Sequence, residues 1–138
     1  MHSIILFIYL ISMSVADIWK RKISIVCSVV AAGLEIILRI NAGQTAWYFW
    51  IGGLFLGCSI IIASHITKGA IGMGDGILFL VIGISLGFFE TISLFLFSLF
   101  LSAVFSVLLI LIHKVNRHHS FPFVPMVCLA YGGMILFE

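Results

Sequence analysis

Apolar residues fill six long segments of this chain, and short stretches with most of its charged residues separate them. Segments of this length and polarity predict helices that cross a lipid bilayer, since a spanning helix needs about 20 mostly apolar residues. The predicted helices cover residues 2–18, 23–40, 46–64, 76–89, 92–112 and 121–137.

The fourth and fifth helices come from one apolar block, 76–112, whose single charged residue is Glu90. One helix of that length would measure about 55 Å, whereas the hydrocarbon core of a bilayer is about 30 Å thick. The block must therefore break, and we place the break at 87–90. The first piece is then only about 21 Å long. It draws residues 72–75 towards membrane depth, where irregular backbone must be buried in protein or line a wet cavity.

The composition agrees with a membrane protein. The 138 residues are 63% hydrophobic and 9% charged, whereas a soluble domain has roughly 25% charged residues. We therefore expect an all-α polytopic membrane protein in which residues 1–138 form a single domain, a bundle of six transmembrane helices. The net charge of +2 is too small to suggest a nucleic-acid partner. Cys27, Cys58 and Cys128 are isolated in apolar segments, so they indicate neither a zinc site nor a disulfide framework, and no cofactor is expected.

The basic residues predict the orientation in the membrane. Loops 1, 3 and 5 hold six of them, whereas the opposite side holds only Arg39. The positive-inside rule then places these three loops in the cytoplasm and both termini outside the cell membrane. The six residues are Lys20, Arg21, Lys22, Lys68, Lys114 and Arg117.

A Gly-x-Gly-Asp sequence, Gly72-Met73-Gly74-Asp75, stands between two apolar segments. A carboxylate at the mouth of a membrane helix is costly to place, which makes it a candidate functional residue. The predicted topology brings Asp17, the only other aspartate, to the same cytoplasmic depth.

Such a pair has a specific chemistry. Two close carboxylates cannot both ionise easily, so the pKa of one rises and the pair shares a proton. The ionised member can take a proton from water while the other donates one to a carbonyl oxygen, as in aspartic proteases, without a metal or a covalent intermediate. Simpler interpretations remain open: Asp75 can cap the next helix, and Asp17 can pair with Arg21, four residues later.

Other polar residues have structural interpretations. Glu35 lies within a predicted span and can pair with Arg39 four residues later, near the outer face. Pro122 and Pro125 are typical of a junction between a loop and a helix.

Three motifs resemble those of one known family. Residues 68–75, Lys-Gly-Ala-Ile-Gly-Met-Gly-Asp, resemble the second catalytic motif of the type IV prepilin peptidases, which are membrane aspartyl proteases. Residues 17–23, an Asp followed by a basic turn and Ile, resemble the first. Residues 121–125, Phe-Pro-Phe-Val-Pro, resemble the proline motif that opens the last span. The resemblance covers the whole chain in order and spacing.

The resemblance implies a function. It implies a six-helix bundle that cleaves leader peptides from type IV prepilins or pseudopilins at the cytoplasmic face of the membrane, with Asp17 and Asp75 as the catalytic pair. The expected partners are the leader and first transmembrane segment of such a substrate, together with the lipid bilayer. Longer, bifunctional family members carry an N-terminal cysteine-bearing domain tied to N-methylation; here we expect peptidase chemistry alone.

The chain departs from the family pattern at two places. Residues 23–25 are Ile-Ser-Ile where the family has Ile-Pro-Asn, and Ile77 stands where the family has a lysine. Both departures affect substrate positioning, and they leave open a weakened relative that serves as a pilus-assembly subunit. A further alternative is a non-enzymatic membrane module that uses Asp17 and Asp75 to pass protons or cations. Transport would need polar residues along a path through the bilayer, which favours the peptidase.

Overall fold

The apolar segments fold as α-helices. A computed structural model describes residues 2–20, 24–43, 47–68, 72–113 and 122–137. Within these ranges the chain forms six helices and no strand, which confirms the predicted all-α class. In chain order the helices are α1 His2–Lys20, α2 Ile25–Asn41, α3 Trp47–Ile66, α4 Met73–Leu86, α5 Phe88–His113 and α6 Val124–Phe137.

Gly87 alone separates α4 from α5, within the stretch predicted to break the apolar block. Its φ of +85° lies in a region that glycine adopts without steric cost. The N–H of Gly87 ends α4 by donating to the carbonyl of Gly83, and the carbonyl of Gly87 accepts a hydrogen bond from the Thr91 hydroxyl. The break is shorter than predicted: α5 begins at Phe88 rather than at residue 92, because one residue with a positive φ redirects the chain.

The start of α2 explains one departure from the family pattern. Ser24 is the N-cap of this helix, and its hydroxyl accepts a hydrogen bond from the N–H of Cys27. A serine in this place satisfies one of the N–H groups that a helix start leaves without a partner in the helix. Ser24 thus starts the helix by a hydrogen bond, which the side chain of a proline could not form.

Helix α4 lies at the centre of the bundle, in contact with α1, α2, α3 and α5. Its Leu78, Phe79 and Ile82 are fully buried. Against α3 the two backbones meet at Gly53 and Gly83, where a Cβ on either glycine would collide with the other's backbone. Small residues at such crossings let helices approach closely in lipid. The position of α4 in the bundle therefore determines where Asp75, in its first turn, lies.

Helix α6 packs between α1 and α5. Leu6 and Leu10 of α1 and Val127 and Ala130 of α6 are buried in the shared core. The last turn of α1 and the first turn of α6 consequently meet at one end of the bundle, as the bond between Asp17 and α6 described below shows.

The outside of the bundle is apolar. Among the described residues, α1 and α5 are long and apolar enough to cross a membrane, over Ser3–Lys20 and Phe88–Ile112. Many large apolar side chains point away from the protein, a surface that water would not favour. Those most exposed include Trp19, Phe55, Phe89, Leu111 and Leu136. Six spans and their orientation remain predictions.

Several residues used in the sequence predictions lie outside the described ranges. They include residues 69–71 and 121 of the family-like motifs and Ile23. The basic residues in this group are Arg21, Lys22, Lys114 and Arg117.

Candidate active site

Asp17 lies in the last turn of α1, and its carboxylate meets the start of α6. Oδ2 of Asp17 accepts a hydrogen bond from the backbone N–H of Val124, at 3.4 Å. Val124 is the first residue of α6, so its N–H is one of the donors that a helix start leaves without a partner in the helix. Because the N-terminus of a helix favours negative charge, this is a suitable place for the Asp17 carboxylate.

The proline motif forms this helix start. Pro122 and Phe123 precede α6, and the carbonyl of Phe123 accepts hydrogen bonds from the N–H groups of Met126 and Val127. Pro125 is the second residue of the helix, where its missing N–H removes no intrahelical hydrogen bond. The motif therefore starts α6 at a point where the N–H of Val124 faces Asp17.

Asp75 is the third residue of α4, and it is not the helix cap. The N-cap is Gly72, whose carbonyl accepts a hydrogen bond from the Asp75 N–H at 3.1 Å. The interpretation of Asp75 as a capping residue is therefore wrong, because α4 begins three residues earlier than predicted. The carboxylate folds back over Gly72: a Cβ on that glycine would lie 3.1 Å from Oδ2 of Asp75. Gly74 lies beside it in the first turn, half-buried.

Asp75 and Asp17 interact electrostatically. Asp75 is half-buried and directly precedes residues 76–89, the segment predicted from the sequence to enter the bilayer. Burial, and secondly the charge of Asp17, raise the pKa of Asp75 to about 6. Burial and the neighbouring charge both favour the neutral form of Asp75, so this carboxyl group keeps its proton to a higher pH than an ordinary aspartate.

A cavity of about 660 Å³ opens beside Asp75. Its walls come from α3, α5, the start of α4 and the residue that precedes α6, and Asp75 is the ionisable residue among them. Phe123, one of the lining residues, is the chain neighbour of Val124, which binds Asp17. The cavity is lined by Ser59, Ile60, Ala63, Gly72, Asp75, Phe95, Leu99 and Phe123.

The described residues that the motifs singled out lie at one end of the bundle. Glu35 and Arg39, by contrast, are buried at the far end of α4, where Arg39 binds Ser85. Phe95 is a wall of the cavity that the sequence did not reveal, since almost every neighbour in α5 is also apolar. No group of three or more His, Cys, Asp or Glu side chains with metal-ligand geometry occurs within the described ranges.

Comparison with known protein families identifies a match. A sequence profile of the type IV leader peptidase family matches residues 4–107, which include both aspartates and end inside α5. Neither the curated proteins nor the solved structures contain a significant match to this chain.

Proposed function

The chain belongs to the type IV leader peptidase family, and we propose that it is an aspartic endopeptidase with Asp17 and Asp75 as its catalytic pair. The observation that carries the proposal is the electrostatic effect of Asp17 on Asp75, with one carboxylate bonded to the N-terminus of α6 and the other beside an apolar cavity. Environments that differ in this way give two carboxyl groups different protonation states, as acid and base catalysis on one bond requires.

The proposed reaction uses one water molecule and no covalent intermediate. The Asp17 carboxylate accepts a proton from water as the water oxygen attacks the carbonyl carbon of the scissile peptide. Protonated Asp75 donates its proton to the carbonyl oxygen, which gives a neutral tetrahedral intermediate. Collapse of that intermediate breaks the C–N bond; the amine leaves with the proton held by Asp17, and the hydroxyl proton returns to Asp75. Both carboxyl groups then have their starting protonation states.

The cavity supports a substrate with apolar residues next to the scissile bond. Phe95, Leu99 and Phe123 give it apolar walls, and Asp75 is placed in the same wall. Lys20 ends α1 and Lys68 follows α3, and both side chains are exposed. These features suit a leader peptide joined to a transmembrane segment, and we propose type IV prepilins or pseudopilins as the substrates.

The membrane arrangement belongs to the same proposal. Residues 1–138 would form one domain of six spans in the cell membrane, with both termini outside and the aspartates near the cytoplasmic face. The apolar exterior and the two helices of spanning length support this arrangement.

Passage of protons or cations is less well supported. Between Asp75 and Ser85, α4 contains only apolar residues, 76–84. An ion path along this helix would therefore cross about 15 Å without a polar side chain from α4.

Co-expression with candidate prepilins from the same source tests the proposal. In cells that express the wild-type protein, mass spectrometry should find prepilin without its leader. In cells that express Asp75→Asn at the same membrane level, it should find full-length prepilin. If every candidate prepilin stays full length with the wild-type protein, the peptidase assignment to these substrates is wrong. A weakened pilus-assembly relative would give that result and still affect pilus formation.

A further inference from the structure

The end of α4 that lies opposite Asp75 is held by a buried arginine from another helix. The guanidinium of Arg39, on α2, donates a hydrogen bond to the backbone carbonyl of Ser85, 46 residues later. Arg39 and Ser85 are both buried, at 8% and 3% exposure. Glu35, one turn earlier on α2 and 1% exposed, and Glu90, in the first turn of α5, act electrostatically on Arg39.

This contact satisfies one of the carbonyls at the C-terminus of α4. The last four carbonyls of a helix have no partner within it, and positive charge is favoured there. Ser85 is the next-to-last residue of α4, so Arg39 supplies both the donor and the charge. Leaving a charge such as Glu35 buried without a counter-charge is costly, which keeps Arg39 in this position.

The contact between α4 and its closest neighbour is apolar, so it differs in kind from the bond to Arg39. This neighbour, α3, meets α4 at Gly53 and Gly83, where backbone lies on backbone. Small residues let the two helices come this near, and beside the crossing the side chain of Leu80 packs against α3. These contacts are apolar and have no directional hydrogen bond. The bond between Arg39 and Ser85 joins a side chain of α2 to one defined carbonyl of α4, so sliding or rotation of α4 would break it.

Asp75 lies ten residues from Ser85 along the same helix, about 15 Å away at the rise of an α-helix. A continuous helix of 14 residues transmits a displacement from one end to the other. We propose that Arg39 is a positioning residue that sets the depth and rotation of α4 and so holds Asp75 against Asp17. Its consequence for cleavage rests on the proposed peptidase function, but the anchoring of α4 does not.

Spin-label distances test the anchoring directly. Cysteines replace Met73, at the start of α4, and Leu136, at the far end of α6, since both side chains are exposed, at 58% and 86%. The three native cysteines are changed to serine in every variant. Double electron–electron resonance in lipid nanodiscs then measures how far the start of α4 lies from the end of α6. Arg39→Met should shift or broaden this distance distribution.

Ser28→Ala is the matched control. Ser28 is on the same helix and as buried as Arg39, but its hydroxyl bonds Tyr9 of α1, at 2.9 Å, and not α4. This variant should keep the wild-type distribution. Arg39→Lys retains the charge that Glu35 and Glu90 require, so it folds even where Arg39→Met does not. It should still broaden the distribution, because an ammonium lacks the fork of the guanidinium.

Cleavage of a co-expressed prepilin is the second measurement. Arg39→Met should lower the cleavage rate on the order of 100-fold, the effect of a displacement of about 1 Å at the reacting groups, and Arg39→Lys should restore part of it. An unchanged distance in a folded Arg39→Met or Arg39→Lys protein overturns the proposal, as does a changed distance with normal cleavage. Absence of cleavage by the wild-type protein would instead remove the proposed function, while the distances still decide whether Arg39 anchors α4.

Discussion

The carboxylate of Asp17 accepts a hydrogen bond from the backbone N–H of Val124, 107 residues further along the chain. The bond joins the end of α1 to the start of α6, so Asp17 has a defined position independent of Asp75. A carboxylate held in this way can act as a base in a fixed direction while the first turn of α4 presents Asp75 to it.

The pair should act as one unit. Asp17→Asn and Asp75→Asn are each expected to lose nearly all prepilin cleavage, and the double variant should lose little more, because groups that act together are not additive. In Asp17→Asn the side-chain amide keeps an oxygen that can accept the Val124 N–H, so the fold should survive. The measurement is prepilin processing at matched membrane levels. Substantial cleavage by either single variant would end the aspartic-peptidase assignment.

The proton on Asp75 should depend on Asp17. Because the charge of Asp17 is the second cause, after burial, of the raised pKa of Asp75, Asp17→Asn should move the Asp75 titration from about 6 to a lower pH. Infrared spectroscopy of the protonated carboxyl band in nanodiscs measures this midpoint, with Asp75→Asn to identify the band. An unmoved midpoint would mean that the two groups do not interact.

The same pKa predicts how stability changes with pH. A carboxyl group whose pKa is higher in the folded than in the unfolded protein binds its proton more tightly when folded. The free energy of unfolding should therefore be largest below the unfolded pKa of 3.8 and fall as the pH rises through about 6. Thermal unfolding between pH 4 and 8 should show this decline in the wild-type protein, and a flatter profile in Asp75→Asn.

Part of this site could be predicted from the sequence, because the length of a membrane helix and the charges of the loops allow few arrangements. The apolar block 76–112 was too long for one helix, so a break near Gly87 was required. The charge pattern placed Asp17 and Asp75 on one side. The start of α4 at Met73 was not predicted, since a glycine-rich stretch suits both a loop and a helix start. The bond of Asp17 to Val124 depends on how distant helices pack, which local sequence does not encode.

The predicted orientation can be tested with reporter fusions. Fusions after Arg21, Lys68 and Arg117 should report the cytoplasm, and a fusion after Gly43, in the turn that follows α2, should report the outside. The reason is the excess of basic residues in loops 1, 3 and 5. A cytoplasmic signal at Gly43 would place α2 differently and remove the argument for a cytoplasmic site.

The isoleucine at position 77 should weaken catalysis without abolishing it. Ile77 is half-buried in α4, two residues after Asp75, where the resembling family has a lysine. Ile77→Lys is therefore expected to leave prepilin cleavage unchanged or to raise it. Complete loss of cleavage by a folded Ile77→Lys protein would show that this part of the site is built differently.

Position 72 should require glycine because a side chain there would displace Asp75. The backbone conformation at this position does not itself require glycine. Its φ of −63° and ψ of 125° are open to alanine, but an alanine Cβ would lie 3.1 Å from Oδ2 of Asp75. The carboxylate would have to move by a few tenths of an ångström from its present position. Gly72→Ala should therefore fold normally and cleave prepilin more slowly, by less than the order of 100-fold that a displacement of about 1 Å costs.

Gly33→Ala provides the control, because a Cβ on this glycine of α2 would meet no atom within 4 Å. Alanine in a helix is favoured over glycine by about 1 kcal/mol, so this variant should unfold at a slightly higher temperature and cleave at the wild-type rate. The comparison separates a local effect on Asp75 from a general effect of replacing glycine. If Gly72→Ala cleaves as fast as Gly33→Ala, then the carboxylate has room to move without loss of catalysis, and the contact between Gly72 and Asp75 has no part in positioning the pair.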